Sequence, residues 1–306
     1  MKTLERTLKT RRGVIRFPAF VPVTTFGDEY PLDKLVQPYL PRLAPAVMVS
    51  YYYARQMKEP PRLPLLVDSG GFVSLFKNAQ VLAAGELGTV QIQKDDGVET
   101  IHPKDVLELQ EQVADVAFGL DFPIPPGMEA AKARQRMEWT IANAHWALAN
   151  RRRRDLPLYA CVQAWDPDSA RECARAYAGV GFDGIAIGGM VPRARDLDLV
   201  LSIVKAVRAE IGDLPLHVLG LGKPEIVSAL FEADVDSVDS SSYVKMAADG
   251  RLWSVLDVRL ENPSPTDYLH LALCNLASAT NCTLPLSVAN VAFTTFALDL
   301  HTNPAL

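Results

Sequence analysis

LYACVQAWDPDSARECARAYAGVGFDGIAIGG, residues 158–189, carries the pattern that decides the fold. Two continuous apolar runs, LYACVQ (158–163) and GIAIGG (184–189), flank a segment at 166–179 whose apolar residues recur at helical spacing. Strands that are apolar on consecutive residues are covered on both faces, as in parallel sheets built from strand–helix–strand units. Working outward, the unit recurs in both directions. Upstream stand PAFVPV (18–23), VMVS (47–50), LLVDSGG (65–71) and VAFGLD (116–121); downstream stand LHVLGLG (216–222) and DSVDSSS (236–242). Most of the linkers can hold a crossover helix. Eight such strands describe an α/β fold, a (β/α)8 barrel, whose strand ends open into one shared mouth.

The remaining segments fit around that barrel. TLKT, a turn at RRG and VIRFPAF predict a hairpin under the barrel floor, and 31–44 reads as a helix broken by prolines. Residues 89–101 alternate around Asp95-Asp96-Gly97, the signal of a tight β-hairpin, here inserted after the third barrel strand on the mouth side. Pro103 is placed to start a helix. Residues 128–154 form the longest helical stretch, with Trp139, Ile141, Ala144, Trp146 and Leu148 expected to cover the sheet. Segments 194–210 and 223–233 supply two more crossovers. After the eighth strand, 243–265 reads as irregular, and 266–279 and 284–301 as closing helices held by Leu269, Leu273, Leu276, Leu284 and Phe293. No linker divides the chain, so residues 1–306 are expected to form one domain, with the barrel at about 15–245 and a helical extension at about 246–306.

At 49% hydrophobic residues the chain can fill a barrel interior and the layer beneath its helices. No run is long enough to span a bilayer, which takes roughly 18–20 apolar residues. The basic start, MKTLERTLKTRRG, lacks the apolar stretch of a secretory signal. Cys161, Cys173, Cys274 and Cys282 follow no framework spacing, so reduced thiols and a cytoplasmic location are expected. The net charge of −5 gives no overall basic footprint for nucleic acid, though a local basic face remains open. Arg151–Arg154 is the one dense cationic cluster and reads either as a solvated helix end or as a phosphate contact.

The barrel mouth would collect Asp68, Asp121, Gln163, Gly188, Gly189 and Asp239, a carboxylate-rich set with no strand-end His or Cys cluster. Asp68 opens DSGGF, where paired glycines allow close backbone approach to a ligand and Phe72 stands at the rim; a helix-capping role is the structural alternative for this Asp. Within VDSVDSSS, Asp239 lies further along the strand than Asp236 and is the one expected to reach the mouth. Carboxylates at successive strand ends suit acid–base and covalent chemistry.

These motifs resemble the tRNA-guanine transglycosylases. The collinear run is PAFVPV, LLVDSGGF, DGVETIHPKDVLELQEQ, DVAFGLD, VQ, FDGIAIGG, VLGLGKP and VDSVDSSSYVKMAADGR, covering about residues 10–245 and continuing weakly over 266–293. The resemblance implies exchange of guanine in a nucleic acid for a 7-deazaguanine base such as queuine, with no cofactor. Asp239 matches the nucleophile that forms a covalent glycosyl–enzyme, and Asp68 the general acid/base. Asp121 matches the acceptor for the donor edge of guanine, and Gln163 with the N–H of Gly189 the donors to its carbonyl. Phe72 and Leu219 match the residues that sandwich the ring. Ser69, Gly188 and the backbone of Met190 complete the implied base-binding set.

The departures are equally specific. The family's structural zinc is held by a Cys-x-Cys-x2-Cys cluster and a later His, but no cysteine lies between Tyr243 and Tyr268, and Ala289 stands in the His position. No bound metal is therefore expected. In the family that subdomain serves tRNA contact and dimer formation, so the usual basis for a homodimer is missing. tRNA is the favoured polymer, DNA the alternative. A non-catalytic partner subunit would be expected to lose Asp68 or Asp239, and both are present. An enzyme of free nucleosides or bases is a third reading.

Overall fold

The computed structural model describes residues 6–280, Asp28 and Ser254 excepted. It opens on the hairpin β1 (Thr7–Thr10) and β2 (Gly13–Arg16), followed by β3 (Ala19–Pro22). The proline-broken segment becomes α1 (Pro31–Val36), a 3-10 turn and α2 (Leu40–Leu43). Then come β4 (Val47–Ser50), α3 (Tyr51–Ala54) and β5 (Leu65–Asp68). The insertion holds β6 (Ala79–Ala84), β7 (Leu87–Lys94) and β8 (Gly97–Ile101). Next are α4 (Pro103–Val113), β9 (Val116–Phe118), α5 (Ala130–Asn150), β10 (Leu158–Val162) and α6 (Pro167–Arg175). They are followed by β11 (Gly184–Ile187), α7 (Leu197–Ile211), β12 (Leu216–Val218), α8 (Pro224–Glu232) and β13 (Ser237–Ser240). The chain then runs through α9 (Ser242–Ala248), β14 (Arg251–Leu252), β15 (Val255–Arg259) and α10 (Pro265–Ala279).

Eight of these strands form one parallel sheet in the order β3-β13-β12-β11-β10-β9-β5-β4. Its two ends meet through a single bridge between Val23 and Met48, where Thr24 N–H donates to the Met48 carbonyl at 2.9 Å. The (β/α)8 barrel expected from the apolar runs is present, and every one of the eight strands falls within its quoted run. The crossovers start where local chemistry tells them to. Asp166 caps α6 by accepting from Ser169 N–H (2.8 Å), and Pro167 follows at the first helical position. Along α7, Val200, Ile203, Val204, Val207 and Ile211 recur on one face and are buried against the sheet. Burying each such aliphatic side chain contributes about 1.5–3 kcal/mol.

The floor is pinned by a repeated device. Asp115, Asp183 and Asp236 each precede a strand and accept the backbone N–H of Leu65, Leu158 and Leu216 at 2.9, 2.9 and 2.8 Å. Each also pairs with arginine: Arg12 with Asp115, Arg151 with Asp183, and Arg6 and Arg208 with Asp236. The N-terminal hairpin thus closes the barrel floor, as its position predicts. Arg151–Arg154 divides: Arg152 and Arg154 are exposed, as the solvated-end reading expects, while the other two turn inward. Arg151 is buried on Asp183 and the Leu156 carbonyl, and Arg153 donates to the carbonyls of Glu111 and Ala114, so two of the four tie strand starts together.

Three further expectations need correcting. The inserted hairpin is a three-stranded antiparallel sheet, because β6 pairs with β7 over its whole length. On α5, Ala133, Met137, Thr140, Ala144 and Ala147 are buried, and Ile141, Trp146 and Leu148 pack half-buried against the same core as expected; Trp139 alone departs, packing edge-on against Phe122 in the cluster that the insertion buries. The small residues at the centre of that face let the helix lie close to the sheet while the bulkier side chains pack at its edges. The described residues of 243–265 form α9 and the strands β14 and β15, with the Trp253 ring buried edge-on to Phe20 and its backbone N–H donating to Asn275 Oδ1. Leu269, Leu273 and Leu276 of α10 are buried as expected, while 284–301, with Leu284 and Phe293, lies outside the described residues. Among the described residues no helix is long and apolar enough to cross a membrane.

Candidate active site

Side chains on a strand alternate between its faces, so each barrel strand sends every second residue inward. Leu66 on β5, Cys161 on β10, Ala186 on β11 and His217 on β12 lie in the buried interior. Two residues further along the same strands come Asp68, Gln163, Gly188 and Leu219, and on β13 Asp239 comes two beyond Ser237. The candidate residues are therefore one interior step above the core, where the barrel stops being filled.

Asp121 arrives differently, from the loop after β9. Its backbone is pressed by the turn that follows Asp68: a Cβ on Gly71 would fall 1.8 Å from the Asp121 carbonyl oxygen, so no side chain fits there. Ser69 Oγ donates to Asp121 Oδ1 and Gln163 Nε2 to Oδ2, each at 2.5 Å. Gly188 closes the knot from β11, since a Cβ there would lie 2.1 Å from Gln163 Nε2. Arg193 ties the surrounding loops by donating to the carbonyls of Ile124 (2.8 Å) and Gly189 (2.7 Å). Among the described residues the buried Gln163 Oε1 has no hydrogen-bond partner. The Gln163 amide nitrogen is directed at Asp121.

The electrostatics of the knot follow from crowding. Burial is the main cause that raises the Asp68 carboxyl to about 7, reinforced by the charges of Asp121 and Asp239; the N–H groups of Ser69 and Gly70 act the other way. Burial also raises Asp121, against the stabilising hydrogen bonds from Ser69 and Gln163. Asp239 is held on one side only. Its Oδ1 accepts the Gly220 N–H at 3.0 Å and lies 3.0 Å from His217 Nε2. Among the described residues Oδ2 accepts no hydrogen bond. A carboxyl that is half protonated near neutrality, beside a carboxylate with a free oxygen, can divide proton transfer and nucleophilic attack between them.

The structure brings Asp68, Ser69, Asp121, Gln163, Gly188, Gly189 and Asp239 to one mouth. Phe72 and Leu219 stand at its margin. Phe72 is 53% exposed with its ring edge-on to Phe76, and Leu219 is half-buried against the barrel interior. Met190 is fully buried, with its side chain in the outer core and its carbonyl accepting the Arg193 N–H at 2.9 Å. His217 is a residue that sequence reasoning missed. The signal was available: it sits two residues before Leu219, and the same period-two step leads from Ser237 to Asp239. Among the described residues no group of three potential metal ligands converges; Cys161, Cys173 and Cys274 are separately buried, and Cys282 and Ala289 lie outside the described residues.

The chain is 28% identical over 264 residues to the tRNA-guanine(15) transglycosylase of Methanothermobacter thermautotrophicus, a match covering 83% of this chain and 38% of that protein. It is 28% identical over 265 residues to the queuine tRNA-ribosyltransferase of Thermotoga neapolitana, covering 79% and 69%. A third relative, the tRNA-guanine(15) transglycosylase of Thermococcus onnurineus, is 30% identical over 172 residues, or 54% of this chain and 28% of that protein. The chain therefore spans well under half the length of the archaeal relatives it matches. The family model described as queuine tRNA-ribosyltransferase matches residues 54–281, a stretch that runs from α3 to the end of α10 and holds Asp68, Asp121, Gln163, Gly188 and Asp239; the chain belongs to this family.

Proposed function

We propose that this protein is a base-exchange transglycosylase, a pentosyltransferase that removes guanine from tRNA and joins a 7-deazaguanine base in its place. The observation that carries the reading is the triple carboxylate mouth, in which burial and two neighbouring carboxylates hold Asp68 at about 7. The relatives' names supply the substrate class.

Asp239 Oδ2 attacks C1′ of the target nucleoside, and the C1′–N9 bond breaks with its electron pair leaving on guanine. Asp68, protonated at this stage, delivers the proton that the departing base needs. Asp239 is then esterified to the sugar. The incoming base gives a proton to Asp68 and its nitrogen attacks C1′ from the opposite side, releasing Asp239 as a carboxylate. Two displacements at one carbon retain its configuration. Asp121 accepts from the N1–H and amino group of the base, because an ionised carboxylate can only accept. Gln163 and the Gly189 N–H donate to its carbonyl. Phe72 and Leu219 offer apolar surfaces to the ring. Ser69 keeps the Asp121 carboxylate aimed through its own hydrogen bond.

The test is incubation with labelled guanine and separate pools of tRNA and duplex DNA. Label entering tRNA supports the reading, and label entering DNA alone moves the substrate. Label in neither pool overturns the reading.

A further inference from the structure

β12 and β13 lie side by side with His217 opposite Ser237 and Val218 opposite Val238. That register stacks three interior side chains in a row. Ser237 Oγ is 2.7 Å from His217 Nδ1, and His217 Nε2 is 3.0 Å from Asp239 Oδ1. The imidazole is fully buried, with the Phe118 ring beside it at 5.5 Å between centroids. A buried histidine needs partners for both nitrogens, and many find them among residues with no chemical role. This one has the carboxyl of Asp239.

We propose that His217 is the positioning residue of the nucleophile: held by Ser237 in the tautomer protonated on Nε2, it donates to Asp239 Oδ1 and leaves Oδ2 as the attacking oxygen. The proposal rests on the reading of Asp239 as nucleophile given above. A carboxylate can only accept, so the nitrogen facing it must carry the hydrogen. The Ser237 hydroxyl is then the donor to Nδ1, and this selects the tautomer. Oδ1 is held twice, by His217 and by the Gly220 N–H. An anchored Oδ1 fixes the plane of the carboxylate and with it the direction of Oδ2.

The same donors act in the second displacement. Once Oδ2 is esterified to C1′, Oδ1 is the carbonyl oxygen of the ester. When the incoming base attacks, the C1′–Oδ2 bond breaks and its electron pair returns to the carboxylate. Donors already aimed at Oδ1 stabilise that returning charge without having to reorganise. The proton stays on His217 throughout, and Asp68 keeps the proton traffic of the base.

The decisive comparison is His217→Phe against His217→Gln, because the Gln amide nitrogen reaches about as far as the imidazole Nε2. Exchange into tRNA is measured per folded molecule. His217→Phe is expected to lower kcat by about 10–100-fold, the worth of one charge-assisted hydrogen bond, with KM for tRNA within about two-fold of wild type. His217→Gln is expected to recover most of that loss. Equal losses in the two variants, or a loss carried by KM, would overturn the proposal. A second arm needs no activity: nitrogen NMR of histidine-labelled wild-type protein is expected to show His217 protonated on Nε2, with that signal shifting in Asp239→Ala. A histidine protonated on Nδ1 alone overturns the proposal. A wild-type protein that shows the Nε2–H pairing but exchanges no base upholds the pairing and sinks the transglycosylase reading.

Discussion

Replacing Asp68 by Asn should make the protein more stable while making the site less active, and the stability gain should follow a defined pH course. The Asp68 carboxyl is raised from 3.8 to about 7, so the folded state holds its proton more tightly than the unfolded chain does. Below about pH 4 both states are protonated and the site costs nothing; between about pH 4 and 7 the native state binds more protons, so stability falls as pH rises. Above about pH 7 both states are ionised and the whole cost is present. Roughly three pKa units at 1.36 kcal/mol each set a ceiling of about 4 kcal/mol, and relaxation of a half-buried mouth brings the expected gain to about 2–4 kcal/mol. Asn preserves the acceptor that meets the Ser69 N–H at 2.7 Å, so the local turn is kept. The assay is urea unfolding of wild type and Asp68→Asn at about pH 8 and about pH 4, since the difference should be largest at the first and vanish at the second. In thermal melts the gain at the higher pH should read as roughly 4–8 °C. A variant less stable than wild type at about pH 8, or a difference of equal size at both pH values, would refute the account of the crowded carboxylates.

The other expectations are briefer. Asp239→Asn should abolish base exchange and the covalent tRNA adduct while leaving the melting curve close to wild type; a wild-type yield of adduct on a denaturing gel would contradict the assignment. Asp121→Ala should weaken guanine binding by at least about 10-fold, because removing the acceptor leaves the donors of the base unpaired. Calorimetry giving an unchanged Kd would return Asp121 to a structural role. Gly71→Ala forces the Asp121 backbone away, since the new Cβ would start 1.8 Å from its carbonyl oxygen. It should lose both base binding and about 1–3 kcal/mol of stability, as overpacking typically costs; an unperturbed variant would show that the turn and Asp121 do not touch. Finally, with no cysteine between Tyr243 and Tyr268, purified protein should carry no stoichiometric zinc and keep its Tm in chelator, which elemental analysis and a thermal melt check directly.

The barrel was legible because its signals are local. A strand covered on both faces must be apolar on consecutive residues, and 158–163 and 184–189 show this without reference to any partner. Caps, prolines and the Asp-Gly turn at 96–97 are equally local, and they mark element ends within a residue or two. What escaped was decided between segments. β6 (79–84) has no strong alternation of its own and becomes a strand because β7 offers it an edge. Trp139 leaves the barrel for Phe122 because the insertion supplies a second apolar cluster.

At the site the division is the same. Sequence by itself determined the eight strands, the polar residues at their ends and the choice of Asp239 over Asp236, since period-two alternation and distance along a strand are properties of the chain alone. Only the tertiary structure decided which groups meet. It turned Arg151 and Arg153 from a charged run into floor pins, brought Ser69 and Gln163 onto Asp121, and set His217 beside Asp239. Those pairings depend on the register of β12 against β13 and on how the barrel closes, and register between strands far apart in the chain is fixed by packing rather than by any local pattern. The raised Asp68 carboxyl has the same origin, because the charges that act on it, from Asp121 and Asp239, reach it only across the closed barrel.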